Sequence, residues 1–340
     1  MEKVRDDGIA LDFEVGDEVV KIINVKSSSL PCPLLVFSPT TEGSYPILLF
    51  FHGFRLQPDS YKSLLLHISS HQYIAVAPKF SLMTSRCEVK TAKKVAEWLS
   101  AKKLNSVLPE KVFPDIQKVA VSGHSRGGKT AFALALAYGS GDSKGESIVT
   151  SGRATRKQKQ PPLKISALLG IDPVAKGSSC FCSSNILQYI PYSFNHSVPV
   201  AVIGTGLSNR RAYGVCPPDA PNGVNHAEFF NESKPPCYYF LAKNYGHTDM
   251  LDEGEKIMGI MKKKGKKETK HDLRRTIGGL FVAFFKAYLE GQADDLINII
   301  ESPGIRCPIK LDPVISIEEY TISHSSSQRC ICGGFEKRNK

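Results

Sequence analysis

The densest chemistry in the sequence lies at Gly123-His124-Ser125-Arg126-Gly127, a G-x-S-x-G pattern. An apolar run, 118–121, precedes it, and a helical pattern rich in alanine, 128–138, follows. That context predicts a tight strand-to-helix turn that holds Ser125 exposed in a strained backbone conformation, with Gly123 and Gly127 letting neighbouring chain pass close by. A serine so placed is a nucleophile only if a base takes its proton and an acid holds the base. The oxyanion formed on attack needs two preorganised N–H donors.

When acid and base follow such a serine on later strand ends, they come in the order acid, then histidine. Asp172 ends the apolar run 167–171 and Pro173 stops the strand, which makes it the expected acid. Asp142 falls in a Gly/Ser/Lys-rich stretch and Asp219 in a proline-rich one, so neither is well placed. His247 stands just beyond the strand pattern 238–242 and is the expected base. His226 is its rival, though no strong strand immediately precedes it. His124 sits inside the turn and cannot fold back onto its neighbour, and His271 lies in a basic stretch. His67, His71, His196 and His324 read as surface or packing residues. For the oxyanion, one donor is the N–H of Arg126, next after the nucleophile. The other is expected from Phe54, in the turn His52-Gly53-Phe54 behind the strand 46–51, where His52 reads as a structural hydrogen-bonder. Phe54, Phe80, Phe181, Tyr189 and Tyr192 are candidate substrate walls.

The elements that must position these groups follow from hydrophobic periodicity. Pro46-Ile47-Leu48-Leu49-Phe50-Phe51 is continuously apolar, as strands buried on both faces are. Further strands are predicted at 73–77, 118–121, 165–171, 198–204 and 238–242, with 19–25 and 34–37 as edge strands. Helices are predicted over 61–70, 88–102 and 128–138, and Ile277, Leu280, Phe281, Phe284, Tyr288 and Leu289 make one apolar stripe that docks on the sheet. Strands alternating with helices make an α/β protein: a mostly parallel, doubly wound central sheet with helices on both faces, the α/β-hydrolase fold. We expect an N-terminal extension over 1–18 and a catalytic domain over 19–322. That domain carries a flexible insertion at 139–162 and a basic loop at 262–272, and a disordered basic tail follows over 323–340.

The chain of 340 residues, 41% hydrophobic and 23% charged, is ordinary for one globular domain with insertions. Its net charge of +11 is concentrated in runs such as Lys262-Lys263-Lys264-Gly265-Lys266-Lys267. With no zinc finger, RNP-like strand or aromatic-interleaved groove beside them, these runs exclude nucleic acid and leave solvent or an anionic membrane surface. Nine cysteines form no disulfide framework. Reduced thiols are the simplest reading, with a Cys216–Cys237 pair as the alternative. Cys180/Cys182 and Cys330/Cys332 are single pairs and make no zinc site. The start of the chain is acidic and lacks a signal core, and no apolar run reaches the roughly 20 residues of a spanning helix. A soluble or membrane-peripheral protein is expected, with its compartment open.

The stretch 123–133, Gly-His-Ser-Arg-Gly-Gly-Lys-Thr-Ala-Phe-Ala, closely resembles the lipase-type motif of plant chlorophyllases. So do Gly170-Ile171-Asp172-Pro173-Val174-Ala175, Tyr245-Gly246-His247-Thr248-Asp249, Phe51-His52-Gly53-Phe54 and Gly223-Val224-Asn225-His226. The resemblance runs in order from about residue 19 to 314. Ala175-Lys176-Gly177 and Thr248 depart from the family's usual residues, and neither removes a catalytic group. The resemblance implies a triad of Ser125, Asp172 and His247 that hydrolyses the phytyl ester of chlorophyll to chlorophyllide and phytol, with no cofactor and no protein-bound metal. Magnesium belongs to the substrate. A general carboxylesterase or lipase would share every catalytic residue, and a non-catalytic receptor of the same fold is the reading from another class.

Overall fold

The computed structural model describes residues 11–26, 28–81, 85–139, 163–175, 186–210, 217–252 and 267–318. Its centre is a nine-stranded sheet. The chain enters through β1 (Val20–Val25) and β2 (Leu34–Pro39), then β3 (Gly43–Phe51), α1 (Lys62–Ser70), β4 (Ile74–Pro78), α2 (Ser85–Ser100), β5 (Val112–His124) and α3 (Arg126–Gly139). It continues through β6 (Ile165–Ile171), β7 (Val200–Thr205), α4 (His226–Glu232), β8 (Cys237–Ala242), α5 (Lys267–Phe285), α6 (Asp294–Glu301), α7 (Pro303–Arg306) and β9 (Val314–Ile317). The strand order is β1-β2-β4-β3-β5-β6-β7-β8-β9. The six strands from β4 to β8 in that order run parallel, while β1, β2 and β9 are antiparallel to their neighbours.

The continuous apolar runs are explained by cover on both faces. In β3, Leu48 and Phe50 face a core shared with α1 and α5, through Leu64, Ile68, Ile277, Leu280 and Phe284. Ile47, Leu49 and Phe51 face the opposite core, shared with α2 and α3 through Val95, Leu99, Phe132 and Leu134. Side chains alternate across a strand, so covering both faces requires every position to be apolar. The α5 stripe docks on the sheet as its spacing predicts, and among the described residues no helix is long and apolar enough to cross a membrane.

Several expectations need correction. β2 is no edge strand, because β1 covers its outer flank and all six of its residues are buried. Hydrophobic periodicity predicts neither β9 nor α6. β9 is four residues long with a half-exposed pattern, and it borrows its register from β8. The expected basic loop is helical from Lys267, where α5 begins, and residues 253–266 lie outside the described residues. Residues 11–18 do not extend from the body: Phe13 is fully buried against α5. A Cβ on Gly279 would lie 2.1 Å from its ring, so the helix needs glycine there. Most of the insertion (140–162), the tail beyond 318, Phe181 and the Cys180/Cys182 and Cys330/Cys332 pairs lie outside the described residues. Cys237 is a buried free thiol whose pKa burial pushes up to about 12, and its suggested partner Cys216 is likewise outside.

Candidate active site

β5 delivers Ser125 and α3 leaves directly behind it. Ser125 adopts φ 56°, the left-handed region that costs a non-glycine residue energy. Its N–H is held by Ile171 O at 3.0 Å, and its carbonyl accepts from Lys129 N–H at 3.2 Å, which closes the first turn of α3. The turn fits only because its flanking residues lack Cβ atoms. A Cβ on Gly127 would lie 2.1 Å from the carbonyl oxygen of Phe51, and one on Gly123 would lie 2.4 Å from Gly127 backbone. Arg126 opens α3, so its N–H belongs to the first turn, where amides have no intrahelical acceptor and the helix dipole is positive.

Asp172 stands one residue past β6, at φ 41°, with its N–H bonded to Ile203 O at 2.6 Å. His247 lies in the turn after β8. That turn is fastened by Asp249, which accepts Gly246 N–H at 2.8 Å and pairs with Lys270 of α5 at 2.8 Å. Met250 and Leu251, both buried, anchor its far side in the core. Three strand ends thus converge. Ser125 Oγ donates to His247 Nε2 at 2.8 Å, and His247 Nδ1 donates to Asp172 Oδ2 at 2.6 Å. Burial pulls His247 down, but the charge and hydrogen bond of Asp172 outweigh it and leave its pKa above the ordinary histidine value. Burial pushes the Asp172 carboxyl up. The His247 and His226 charges and the hydrogen bonds it accepts win, and it is held down at about 2. A buried carboxylate that stays ionised beside a histidine whose free nitrogen faces a hydroxyl can take a proton from that hydroxyl.

The groups that hold the Asp172 carboxylate lie outside the sequence motifs. Thr205 Oγ1 donates to Asp172 Oδ2 at 2.6 Å, and Ser208 Oγ lies 3.4 Å from Oδ1 while donating to Thr205 O at 2.8 Å. The signal was present in the polar threonine that ends the apolar run of β7. His226, the rival base, lies on the opposite side of the acid. Its Nε2 is 3.6 Å from Asp172 Oδ1 and its Nδ1 is 2.8 Å from Tyr239 Oη. Asn225 caps α4 through Ala227 N–H at 3.2 Å, which turns His226 inward at the first helical position.

On the oxyanion side, His52 is structural. Its Nδ1 donates to Gly53 O at 2.9 Å and its Nε2 accepts Phe80 N–H at 3.0 Å, while burial holds it neutral with a pKa of about 4. Phe54 is 42% exposed, with the Arg126 guanidinium 4.3 Å from its ring centroid and that of Arg55 at 5.2 Å. Arg126 is tethered by an ion pair to the buried Glu88 of α2. Of the other candidate walls, Phe80 is buried against Phe51 and His52 and presents no free surface. Tyr189 and Tyr192 are about half-exposed, but they sit where Tyr192 N–H meets Asn231 O, at the end of α4 away from His226. Among the described residues no group of three or more His, Cys, Asp or Glu is arranged to hold a metal ion.

Residues 9–318 match the family model described as Chlorophyllase. The chain is 40% identical to "Chlorophyllase-2" of Arabidopsis thaliana over 298 residues, 84% of this chain and 86% of that one. It is 39% identical to "Chlorophyllase-1" of the same plant over 322 residues, covering 90% and 93% of the two chains. With "Chlorophyllase-1, chloroplastic" of Citrus unshiu the identity is 37% over 300 residues, covering 85% and 82%.

Proposed function

The chain belongs to the chlorophyllase family, and from that premise we propose that it hydrolyses the phytyl ester of chlorophyll through Ser125, His247 and Asp172. One observation carries the assignment of these residues: the unbroken hydrogen-bonded chain from Ser125 Oγ through His247 to a fully buried, ionised Asp172. Ser125 Oγ attacks the carbonyl carbon of the pigment's propionate ester as His247 Nε2 takes its proton. The N–H groups of Phe54 and Arg126 receive the oxyanion, and Asp172 stabilises the imidazolium. His247 returns the proton to the phytol oxygen as the C–O bond breaks, leaving pigment acyl on Ser125. Water, deprotonated by His247, releases chlorophyllide. Phe54, exposed with the guanidiniums of Arg126 and Arg55 over its ring, forms an apolar and cationic surface next to the residue that follows the nucleophile, a surface suited to a conjugated ring. The catalytic unit is one domain that includes residues 11–18.

If the site is built for the pigment, binding energy from the macrocycle is expressed at the reacting carbonyl, and truncated esters lose turnover as well as affinity. Chlorophyll a and pheophytin a should then exceed p-nitrophenyl butyrate in kcat/KM, measured by chlorophyllide or pheophorbide left after phase partition. Rapid butyrate hydrolysis with neither pigment cleaved would replace this reading by a general carboxylesterase, and no hydrolysis at all by a non-catalytic binder. We add that the run Lys262 to Lys267 attracts anionic lipid, at about 1 kcal/mol per basic residue near the surface. Serine replacements there should weaken low-salt binding to phosphatidylserine vesicles without changing soluble-ester hydrolysis. Binding indifferent to salt and to these replacements would refute it.

A further inference from the structure

A second hydrogen-bonded chain runs behind the first and uses none of the triad's side chains. Gly53 N–H donates to Tyr61 Oη at 3.0 Å. Tyr61 Oη lies 2.8 Å from His124 Nδ1, and His124 Nε2 lies 2.9 Å from the backbone carbonyl of His247. Tyr61 and His124 are each 1% exposed, so neither can exchange its partners for bulk water. These partners leave one arrangement of protons. The His247 carbonyl can only accept, so His124 Nε2 carries the hydrogen. In a neutral ring Nδ1 then accepts, and Tyr61 donates to it while receiving Gly53 N–H. Burial, with the His247 charge behind it, keeps the ring neutral by holding its pKa down at about 3, against the pull of Asp172 and the His247 carbonyl. The His124 and His247 rings face each other with centroids 4.6 Å apart at 39°.

The chain joins three separate loops of the site. Gly53 precedes Phe54 in the oxyanion turn, His124 precedes the nucleophile, and His247 is the base. We infer that Tyr61 and His124 are positioning residues, which lock the oxyanion turn to the backbone of the catalytic histidine so that donor, nucleophile and base keep their spacing through the reaction. This inference rests on the assignment of Ser125, His247 and the Phe54 N–H above. It accounts for histidine at the second position of the elbow, where its side chain cannot serve as base, and for the buried Tyr61 hydroxyl beside Phe50.

The test compares wild type, Tyr61→Phe, His124→Asn and Ser125→Ala with p-nitrophenyl butyrate. A loosened oxyanion turn should lower kcat in the first two variants by roughly 10- to 100-fold with KM little changed. Affinity for an aryl trifluoromethyl ketone, which forms a tetrahedral adduct on the serine, should fall by the same factor as kcat/KM. A purely structural role would lower the melting temperature and leave both constants of the folded protein intact, and that result overturns the inference. Should both variants fail to fold, the wild-type protein still decides. Two-bond ¹H–¹⁵N correlations should show His124 as the neutral Nε2–H tautomer from about pH 5 to about 9. An Nδ1–H tautomer, or titration in that range, overturns the inference as well. Unimpaired turnover by Ser125→Ala would instead remove the nucleophile assignment, a failure distinct from either.

Discussion

Replacing Asp172 by asparagine keeps the side chain's shape and removes its charge, which lies 2.6 Å from His247 Nδ1. Burial pushes the carboxyl up, but the His247 and His226 charges and the hydrogen bonds it accepts hold it down at about 2, so it faces the imidazolium as a full charge. The imidazolium exists only during proton transfer, so the loss falls on the transition state. An amide that turns its NH2 toward Nδ1 also forces the proton onto Nε2, where it can no longer accept from Ser125. Together these predict a fall of roughly 10³ to 10⁴ in kcat/KM, about 4 to 5.5 kcal/mol. The pH profile supplies an independent sign. His247 works only when neutral, and Asp172 raises its pKa against burial, so the acid limb of kcat/KM should move to lower pH in the variant. Stability follows the carboxyl itself. Because its folded pKa is depressed, its stabilisation is complete above about pH 4 and is lost as pH falls toward about 2, a slope the variant should lack. The assay is p-nitrophenyl butyrate hydrolysis across pH, with thermal melts alongside. Activity within about tenfold of wild type together with an unmoved or raised acid limb would refute the electrostatic argument.

Gly127→Ala should abolish activity or folding, since its Cβ would meet the Phe51 carbonyl at 2.1 Å; a folded, active variant seen by circular dichroism and ester hydrolysis would show that the elbow is not so tight. Phe13→Ala should cost roughly 3 to 5 kcal/mol in urea unfolding, because the ring is fully buried on α5, whereas a true N-terminal extension would cost nothing. Glu232→Gln should destabilise by roughly 1 to 3 kcal/mol while leaving kcat intact, since the buried carboxylate accepts Gln188 N–H, Tyr189 N–H and Ser193 Oγ; an unchanged melting temperature would contradict it.

The parallel strands and the elbow were legible because each obeys a local rule. A strand covered on both faces must be apolar throughout, as β3 is, and a serine in a left-handed turn needs the glycines that flank Ser125. Asp172 and His247 stood out as candidates because Asp172 directly follows β6 and His247 lies in the turn that leaves β8. What stayed hidden depends on partners distant in sequence. β9 is too short and too exposed to announce itself without β8, and Phe13 is indistinguishable from a tail residue until Gly279 receives its ring. The carboxylate's supports behave likewise: Thr205, Ser208 and His226 come from two segments, distant in sequence from Asp172, that only the fold brings to it. His226 could be weighed from sequence only as a competing base, since nothing local shows that it faces the acid rather than the serine.

Attack of Ser125 Oγ on the pigment's ester carbonyl leaves a covalent acyl-enzyme that can be captured. Wild type and Ser125→Ala would be mixed with chlorophyll a in detergent, quenched in acid during turnover, stripped of free pigment and digested. Mass spectrometry of the peptides would then locate any bound pigment acyl group. Pigment acyl should appear on the peptide bearing Ser125 and be absent from the variant, whose chlorophyllide release should be at least roughly 10³-fold slower. Chlorophyllide release by Ser125→Ala at an undiminished rate, or pigment acyl on another residue, would rule out Ser125 as the nucleophile.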